Sequence, residues 1–358
     1  MDAADGLPVA GPAHDRVRRG VGRRAEAQGS GRPGLVRTLI TGAAGFAGRH
    51  LVAALRGQGH DIVAADLAAD ERPSAPSVEA DDGVERVVLD VTDEQACWDV
   101  VHDARPELVL HLAGMAHVGQ AEAAAERCLA VNAGGTRNML AACLDGHANT
   151  RFLLVSSAEV YGRVQAAQLP VSEQHPLRPG TAYAVSKACA EMHVHHAAAR
   201  GLHAVVARAF NHIGPGQDPA FVAAAFARQL AQIEAGLAEP VVRVGNLDAV
   251  RDFSDVRDTV VGYLACLDAG QPGDVFNITS GATVRIADLL DTLVKLSSAD
   301  VRVEQDPERM RAVDVPIFHG DGAKLAQASG FAPRFDLERT LGAVLEDWRG
   351  RVAAQAPR

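Results

Sequence analysis

From residue 35 onward the apolar positions fall into two alternating kinds of run. Short unbroken stretches of Val, Leu, Ile and Ala end at Gly, Asp or Ser. Between them lie longer stretches in which apolar residues return at helical spacing. The first kind reads as strands buried on both faces, the second as amphipathic helices packed over them. Strands are expected over 36–41, 60–65, 85–89, 108–114, 151–156 and 203–210, with helices after 45 and over 92–104, 120–144 and 181–200. Thr92, followed by acids, suits a helix start. Strand and helix alternating without interruption predict an α/β fold, a Rossmann-type doubly wound parallel sheet with ligands at the carboxyl ends of its strands.

Beyond 210 the elements shorten and the connections lengthen: helices over 221–235, 256–267 and 286–296, strands over 241–244 and 274–278. This division predicts that 35–210 forms mainly a dinucleotide-binding domain and 211–350 mainly a smaller C-terminal α/β substrate lobe, with a tail over 351–358. Residues 1–34 are rich in Gly, Pro and Arg and lack hydrophobic periodicity, so a disordered tail is expected there.

Composition narrows the classes. Aromatic residues make up only 4% of 358, as suits helices on a parallel sheet, and the formal net charge of -10 argues against nucleic acid as a partner. No apolar run approaches a membrane span, and five cysteines without paired or metal-type spacing read as reduced core thiols of a cytoplasmic protein. His193, His195, His196 and His203 lack the spacing of a metal site, so no metal is expected. His117 reads as a loop histidine.

The first strand runs directly into TGAAGFAG. Gly42 permits a tight turn, Gly45 lets backbone approach a pyrophosphate, and Gly48 lets the following helix pack closely, leaving bare N–H groups to meet the anion. The second strand ends in Asp66, where a carboxylate accepts from an adenosine ribose. Tyr183 and Lys187 lie four apart and share a helix face. An ammonium one turn away, with an oxidised nicotinamide nearby, favours phenolate and brings the phenol nearer neutrality. Ser157, at a strand end, is placed to bond the same carbonyl or alcohol oxygen.

Together TGAAGFAG, Asp66, LDVTD, HLAG, Asn132 in VNAGGT, SSAEVYG and YAVSK resemble the extended short-chain dehydrogenase/reductase superfamily, most of whose members act on nucleotide sugars. RAFNHIGPGQ, FARQLAQIEAG, VGNLDAVRDFSDVRD, DVFNITSG and EQDPERMRAVDVP resemble the GDP-4-keto-6-deoxy-D-mannose reductases and, further off, the GDP-mannose 4,6-dehydratases. RDFSDVRD and RMRAVDVP favour the reductase.

The resemblance implies a pyrophosphate held by Gly42, Gly45 and Gly48 with Phe46 beside the cofactor, adenosine ribose on Asp66, and adenine flanked by Asp90 and Val91. Ala113 and Gly114 would line the nicotinamide side, with Ser157, Tyr183 and Lys187 as the catalytic set and Tyr183 and Lys187 also binding the cofactor. Asn211 would meet the sugar or its diphosphate, which Arg251 and Arg309 would neutralise. The competing reading of those arginines is a surface ion pair, with Asp252 or Glu308 alongside. The implied cofactor is NADP(H) or NAD(H): Asp66 repels a 2′-phosphate, while Arg49 or Arg72 can offset it. The implied substrate is a GDP-linked 4-keto-6-deoxy sugar, and the implied assembly a homodimer through the helices over 120–144 and 181–200. Glu159 retains a base for a dehydratase or epimerase, but Ala158 stands where dehydratases carry a proton donor. A third expectation is a non-catalytic dinucleotide-binding protein.

Overall fold

The computed structural model describes residues 35–68, 83–146, 149–309 and 315–355. The tail expected over 1–34, Arg72 and the greater part of RMRAVDVP lie outside the described residues.

The large sheet has β1 (Arg37–Thr41), β2 (Asp61–Asp66), β3 (Glu85–Val88), β4 (Leu108–His111), β5 (Arg151–Ser157), β6 (His203–Ala209) and, from far along the chain, β10 (Val275–Ile278). Their order is β10-β6-β5-β4-β1-β2-β3 and every pairing is parallel. That is the 3-2-1-4-5-6 Rossmann order with one strand added at the β6 edge. Successive residues enter opposite cores. Leu39, Phe152, Leu154 and Val206 join one; Ile40, Leu153 and Val205 join the other. Strands buried on both faces therefore appear in sequence as unbroken apolar runs.

Helix α1 (Phe46–Gly57) covers one face, and α2 (Glu94–Ala104) the other. The cap of α2 is Asp93, whose carboxylate accepts from Ala96 N–H; Thr92 instead bonds Asp90. The helix expected over 120–144 is broken. It comprises α3 (Val118–Ala123), α4 (Ala125–Leu129), a π-helical turn (Ala130–Gly134) and α5 (Gly135–Gly146), with Ala124 out of helical conformation at φ -138, ψ 53. Helix α6 (Ala182–Ala199) begins at Thr181, whose hydroxyl accepts from Ala184 N–H.

Past β6 the chain forms β7 (Asn211–Ile213), α7 (Val222–Glu234), β8 (Val241–Val244), β9 (Val250–Asp255) and α8 (Val256–Ala269). After β10 come β11 (Thr283–Arg285), α9 (Ile286–Leu296), β12 (Arg302–Gln305), β13 (Ile317–Phe318), α10 (Ala323–Ser329) and α11 (Leu337–Gln355). Helices α7, α9 and α11 enclose a separate apolar core around Leu230, Leu289, Leu341 and Trp348. Helix α8 and β10, though late in sequence, belong to the large sheet's layers. The tail expected from 351 is helix through Gln355, because Val352 is buried and Arg351 pairs with Asp347.

Among the described residues no helix is long and apolar enough to cross a membrane, and no three His, Cys, Asp or Glu side chains converge on a metal position. Cys97, Cys128, Cys143 and Cys266 are buried and Cys189 partly so, all as free thiols.

Candidate active site

The carboxyl ends of β1, β4 and β5 meet the start of α6, and the residues singled out in sequence gather there. Gly42 has φ +70, and a Cβ on it would lie 2.6 Å from Ala113 N. A Cβ on Gly48 would lie 2.2 Å from Gly42 O. Both positions require glycine, since real Cβ atoms do not approach backbone so closely. Gly45 is the N-cap of α1 and makes no side-chain cap, so the first N–H groups of that helix remain available to an anion. Phe46 stacks its ring parallel to His212 at 5.8 Å between centroids, and Arg49 donates to Gly216 O at 2.8 Å. The loop after β7 thereby seats the start of α1.

Asp66 stands at the end of β2 with Oδ2 accepting from Ala44 N–H of the glycine turn (2.7 Å) and Oδ1 from Leu67 N–H (2.8 Å). Asp90 folds back on Thr92, and buried Val91 presents its carbonyl to Asn138 Nδ2 at 3.0 Å. A Cβ on Gly135 would sit 2.5 Å from Val91, so that glycine lets α5 close on the Asp90–Val91 turn. The glycine cradle, the carboxylate beside it and the open helix start fit a dinucleotide.

Next to Ala113, which adjoins the cradle, Gly114 lies against the catalytic candidates: a Cβ there would be 2.8 Å from Asn132 Oδ1 and 3.4 Å from Lys187 Nζ. Asn132 is the clamp behind it. Its Oδ1 accepts from Met115 N–H (2.8 Å), and its Nδ2 donates to Met115 O (3.1 Å) and Ser186 Oγ (2.8 Å). Asn132 lies within the π-helical turn, and its side chain reaches across to the loop after β4.

Lys187 and Tyr183 share a face of α6, and Lys187 Nζ donates to Val155 O at 2.9 Å. Burial pushes the amine down to about 8, opposed by Cys128 and Glu191. Burial pushes the Tyr183 phenol up to about 12; hydrogen bonding with Ser157 opposes this, and the charge of Glu159 adds to it. Burial therefore places the phenol above its ordinary value rather than nearer neutrality. Ser157 also accepts from Glu159 N–H at 3.2 Å, placing exposed Glu159 at the start of a short 3-10 turn, while Ala158 is buried. This arrangement can donate a proton to an oxygen between Ser157 and Tyr183.

The remaining candidates lie on other segments. Asn211 is exposed in β7, and Arg251 in β9 donates to Val250 O. Asp252, suggested by sequence as a partner for Arg251, is fully buried and accepts from Thr279, Ser280 and Gly281. Arg309, beyond β12, pairs with Asp306 rather than Glu308 (3.1 Å), with its side chain 45% exposed. His117 caps α3 and meets the Phe221 ring edge-on at 6.1 Å.

Two groups behind the site escaped sequence reasoning. His111 is pushed down to about 3 by burial and Lys187, and its Nδ1 bonds Thr41 Oγ1 at 2.7 Å. Glu191 and Arg208 form a buried ion pair. Its sequence signals are an arginine inside the apolar run HAVVARAF and a glutamate one further turn along the Tyr183–Lys187 face.

A family model described as GDP-mannose 4,6 dehydratase matches residues 39–343. Over 322 residues the chain is 36% identical to a GDP-6-deoxy-D-mannose reductase of Pseudomonas aeruginosa, covering 88% of this chain and 98% of that protein. It is 26% identical to a GDP-mannose 4,6-dehydratase of Vibrio cholerae, covering 87% and 93%. Among solved structures, RMD from Pseudomonas aeruginosa complexed with NADPH superposes with a TM-score of 0.75 at 33% identity, covering 88% of this chain and 100% of that one.

Proposed function

The chain belongs to the GDP-mannose 4,6-dehydratase family, and on that premise we propose that it is a reductase of nucleotide sugars. It reduces the C4 ketone of GDP-4-keto-6-deoxy-D-mannose to GDP-D-rhamnose or the C4 epimer, at the expense of NADH or NADPH. The observation that carries this is buried Tyr183 one turn from buried Lys187 on α6, with Lys187 Nζ held on Val155 O at the end of β5 and lying against Gly114. The 36% identity to the Pseudomonas aeruginosa reductase supports it.

When bound, the reduced nicotinamide would supply hydride to C4. Ser157 and Tyr183 hold the carbonyl oxygen by hydrogen bonds, polarising it and fixing which face is presented. As negative charge develops on that oxygen, Tyr183 gives up its proton and the alcohol forms. The Lys187 ammonium then stabilises the phenolate until solvent restores the proton. Gly42, Gly45, Phe46 and Gly48 hold the dinucleotide, with Asp66, Asp90 and Val91 at its adenosine end and Ala113 and Gly114 by the nicotinamide. Asn211, Arg251 and Arg309 meet the sugar diphosphate. The 4,6-dehydratase chemistry named for the family also needs a proton delivered to the departing C6 hydroxyl, and Ala158 has none to give.

We further propose a homodimer packed through α4, α5 and α6, where Leu129, Val185 and Met192 are exposed.

Adding GDP-4-keto-6-deoxy-D-mannose to the enzyme with either reduced cofactor should oxidise that cofactor and yield a 6-deoxy sugar identifiable by NMR. Tyr183→Phe should cut kcat at least about a hundredfold. Failure to oxidise either cofactor would sink this reading; steady turnover of GDP-mannose without net cofactor change would replace it with the dehydratase.

A further inference from the structure

Two successive residues near the end of β5, just before Ser157, are tied to different turns of α6. The Val155 carbonyl accepts from Lys187 Nζ (2.9 Å), and the Ser156 hydroxyl donates to Glu191 Oε1 (2.5 Å). Tyr183, Lys187 and Glu191 follow one another at four-residue spacing, so they form a single stripe along the helix. The proposed reaction uses the first two. The third is a carboxylate with 0% exposure.

Its counter-charge comes from the sheet. Arg208 on β6 lies opposite Ser156 in register and grips Glu191 from two sides. Nε is 3.0 and 3.2 Å from the two carboxylate oxygens, and Nη2 is 2.6 Å from Oε2. Arg208 Nη1 donates to the Tyr161 hydroxyl (3.0 Å), which donates to Asn277 Oδ1 on β10 (2.7 Å). Asn277 Nδ2 in turn donates to Val171 O at 2.9 Å. The network runs from the catalytic helix across two strands to the far edge of the sheet. Buried ion pairs contribute little stability that packed apolar residues would not, so stability does not explain this one. Orientation does, since a forked guanidinium on a doubly bonded carboxylate fixes both groups in rotation as well as distance.

We propose that Glu191, held by Arg208, is a positioning residue for the proton-transfer set, fixing the rotation of α6 on β5 so that Tyr183 and Lys187 face Ser157. The inference rests on the reductase reading and deepens it. The titratable groups around Lys187 are Tyr183 and Glu191 on α6, Cys128 on α4 and His111 on β4, with Arg208 on β6 behind Glu191. Removing the Glu191 anion leaves Arg208 as an unbalanced cation on that side, so Lys187 should release its proton at lower pH.

The test compares full-length wild type with Glu191→Gln, Ser156→Ala and the double variant Glu191→Gln with Arg208→Met, which leaves no unpaired charge. For each, melting temperature, reduced-cofactor Kd, kcat, KM and the pH dependence of kcat are measured. Glu191→Gln should lower kcat at least about thirtyfold while cofactor Kd changes by less than about twofold, and its alkaline limb should move to lower pH. The double variant should recover the melting temperature but not kcat. Ser156→Ala should be slowed by less than Glu191→Gln. Wild-type kcat in the double variant, or an unmoved alkaline limb in Glu191→Gln, would overturn the proposal. If wild type itself fails to reduce the keto sugar, the reductase reading is what fails. The positioning role is then read without turnover, by ¹³Cε NMR titration of Lys187 with Lys295 and Lys324 as references. Glu191→Gln should lower the Lys187 midpoint by at least about half a pH unit, and an unchanged midpoint refutes it.

Discussion

Lys187 and Tyr183 are pushed in opposite directions by the same burial, and that divides their roles. The phenol, up at about 12, keeps its proton throughout the neutral range and so starts each reduction as an acid. The amine, down at about 8, is charged below that pH and neutral above it. Charge on Lys187 is what steadies the phenolate once the proton has gone, so kcat should be level on the acid side and fall as pH rises through about 8. A pH–rate profile under saturating substrate checks this, and a limb that follows the phenol rather than the amine would contradict it. The cradle makes a sharper demand. A methyl group at Gly48 would meet Gly42 O at 2.2 Å, a backbone atom that cannot swing aside. Gly48→Ala should therefore weaken cofactor binding at least about tenfold, by roughly 1.4 kcal/mol or more, in a fluorescence titration. It should lower the melting temperature as well.

At the scale of elements, most of the sheet was legible because its strands are buried on both faces, so β1, β2, β4 and β5 stand out as apolar runs ending at Gly, Asp or Ser, and β6 as one ending before Asn211. The catalytic pair was legible for the same reason that α6 was: helical spacing fixes which residues share a face. What failed to show was anything set by contacts distant in sequence. The alanine-rich stretch through Ala133 supports a continuous helix by local propensity. Its break at Ala124 and the π-helical turn that follows go with the bonds of Asn132 to Met115 and Ser186. Strand β9, with Asp252 buried in it, is absent from the expected strands, because its polar residues are matched only by Thr279, Ser280 and Gly281, distant in sequence. Helix α11 is another such element, and its attachment is testable. Glu234 at the end of α7 accepts from Arg349 Nε (2.7 Å) and Nη2 (2.6 Å) on α11, and from Ser297 Oγ (2.7 Å) beyond α9. Hydrogen bonding to Arg349 chiefly holds its carboxyl at about 2, below the ordinary 4.5. A depressed carboxyl stabilises the fold above its unfolded value and loses that contribution as pH falls from 4.5 toward 2. Glu234→Gln should cost about 1–2 kcal/mol in urea unfolding at neutral pH, since Arg349 is partly solvated. The difference from wild type should shrink as the pH is lowered through that window.

At the scale of the whole molecule, the active site depends on helices whose other faces point outward. Helix α6 buries Tyr183, Lys187 and Glu191 on its inner face, while Val185 (42% exposed) and Met192 (52%) lie seven residues apart on the outer one, with Cys189 between them. Leu129 on the neighbouring α4 is also open to solvent, at 44%. Apolar side chains at this spacing form one stripe, which a two-fold axis can pair with the same stripe of a second copy. In such a dimer the catalytic helix would be clamped from both sides, by the Glu191–Arg208 network within and by its symmetry mate without. Met192→Glu sets two carboxylates near that axis and should convert wild-type protein running at twice the chain mass in sedimentation velocity into monomer. Because α6 also carries the proton-transfer pair, kcat should fall along with the dimer fraction and recover at high protein concentration. A wild-type protein that sediments as monomer at every concentration would remove the dimer, and with it the outer half of the clamp.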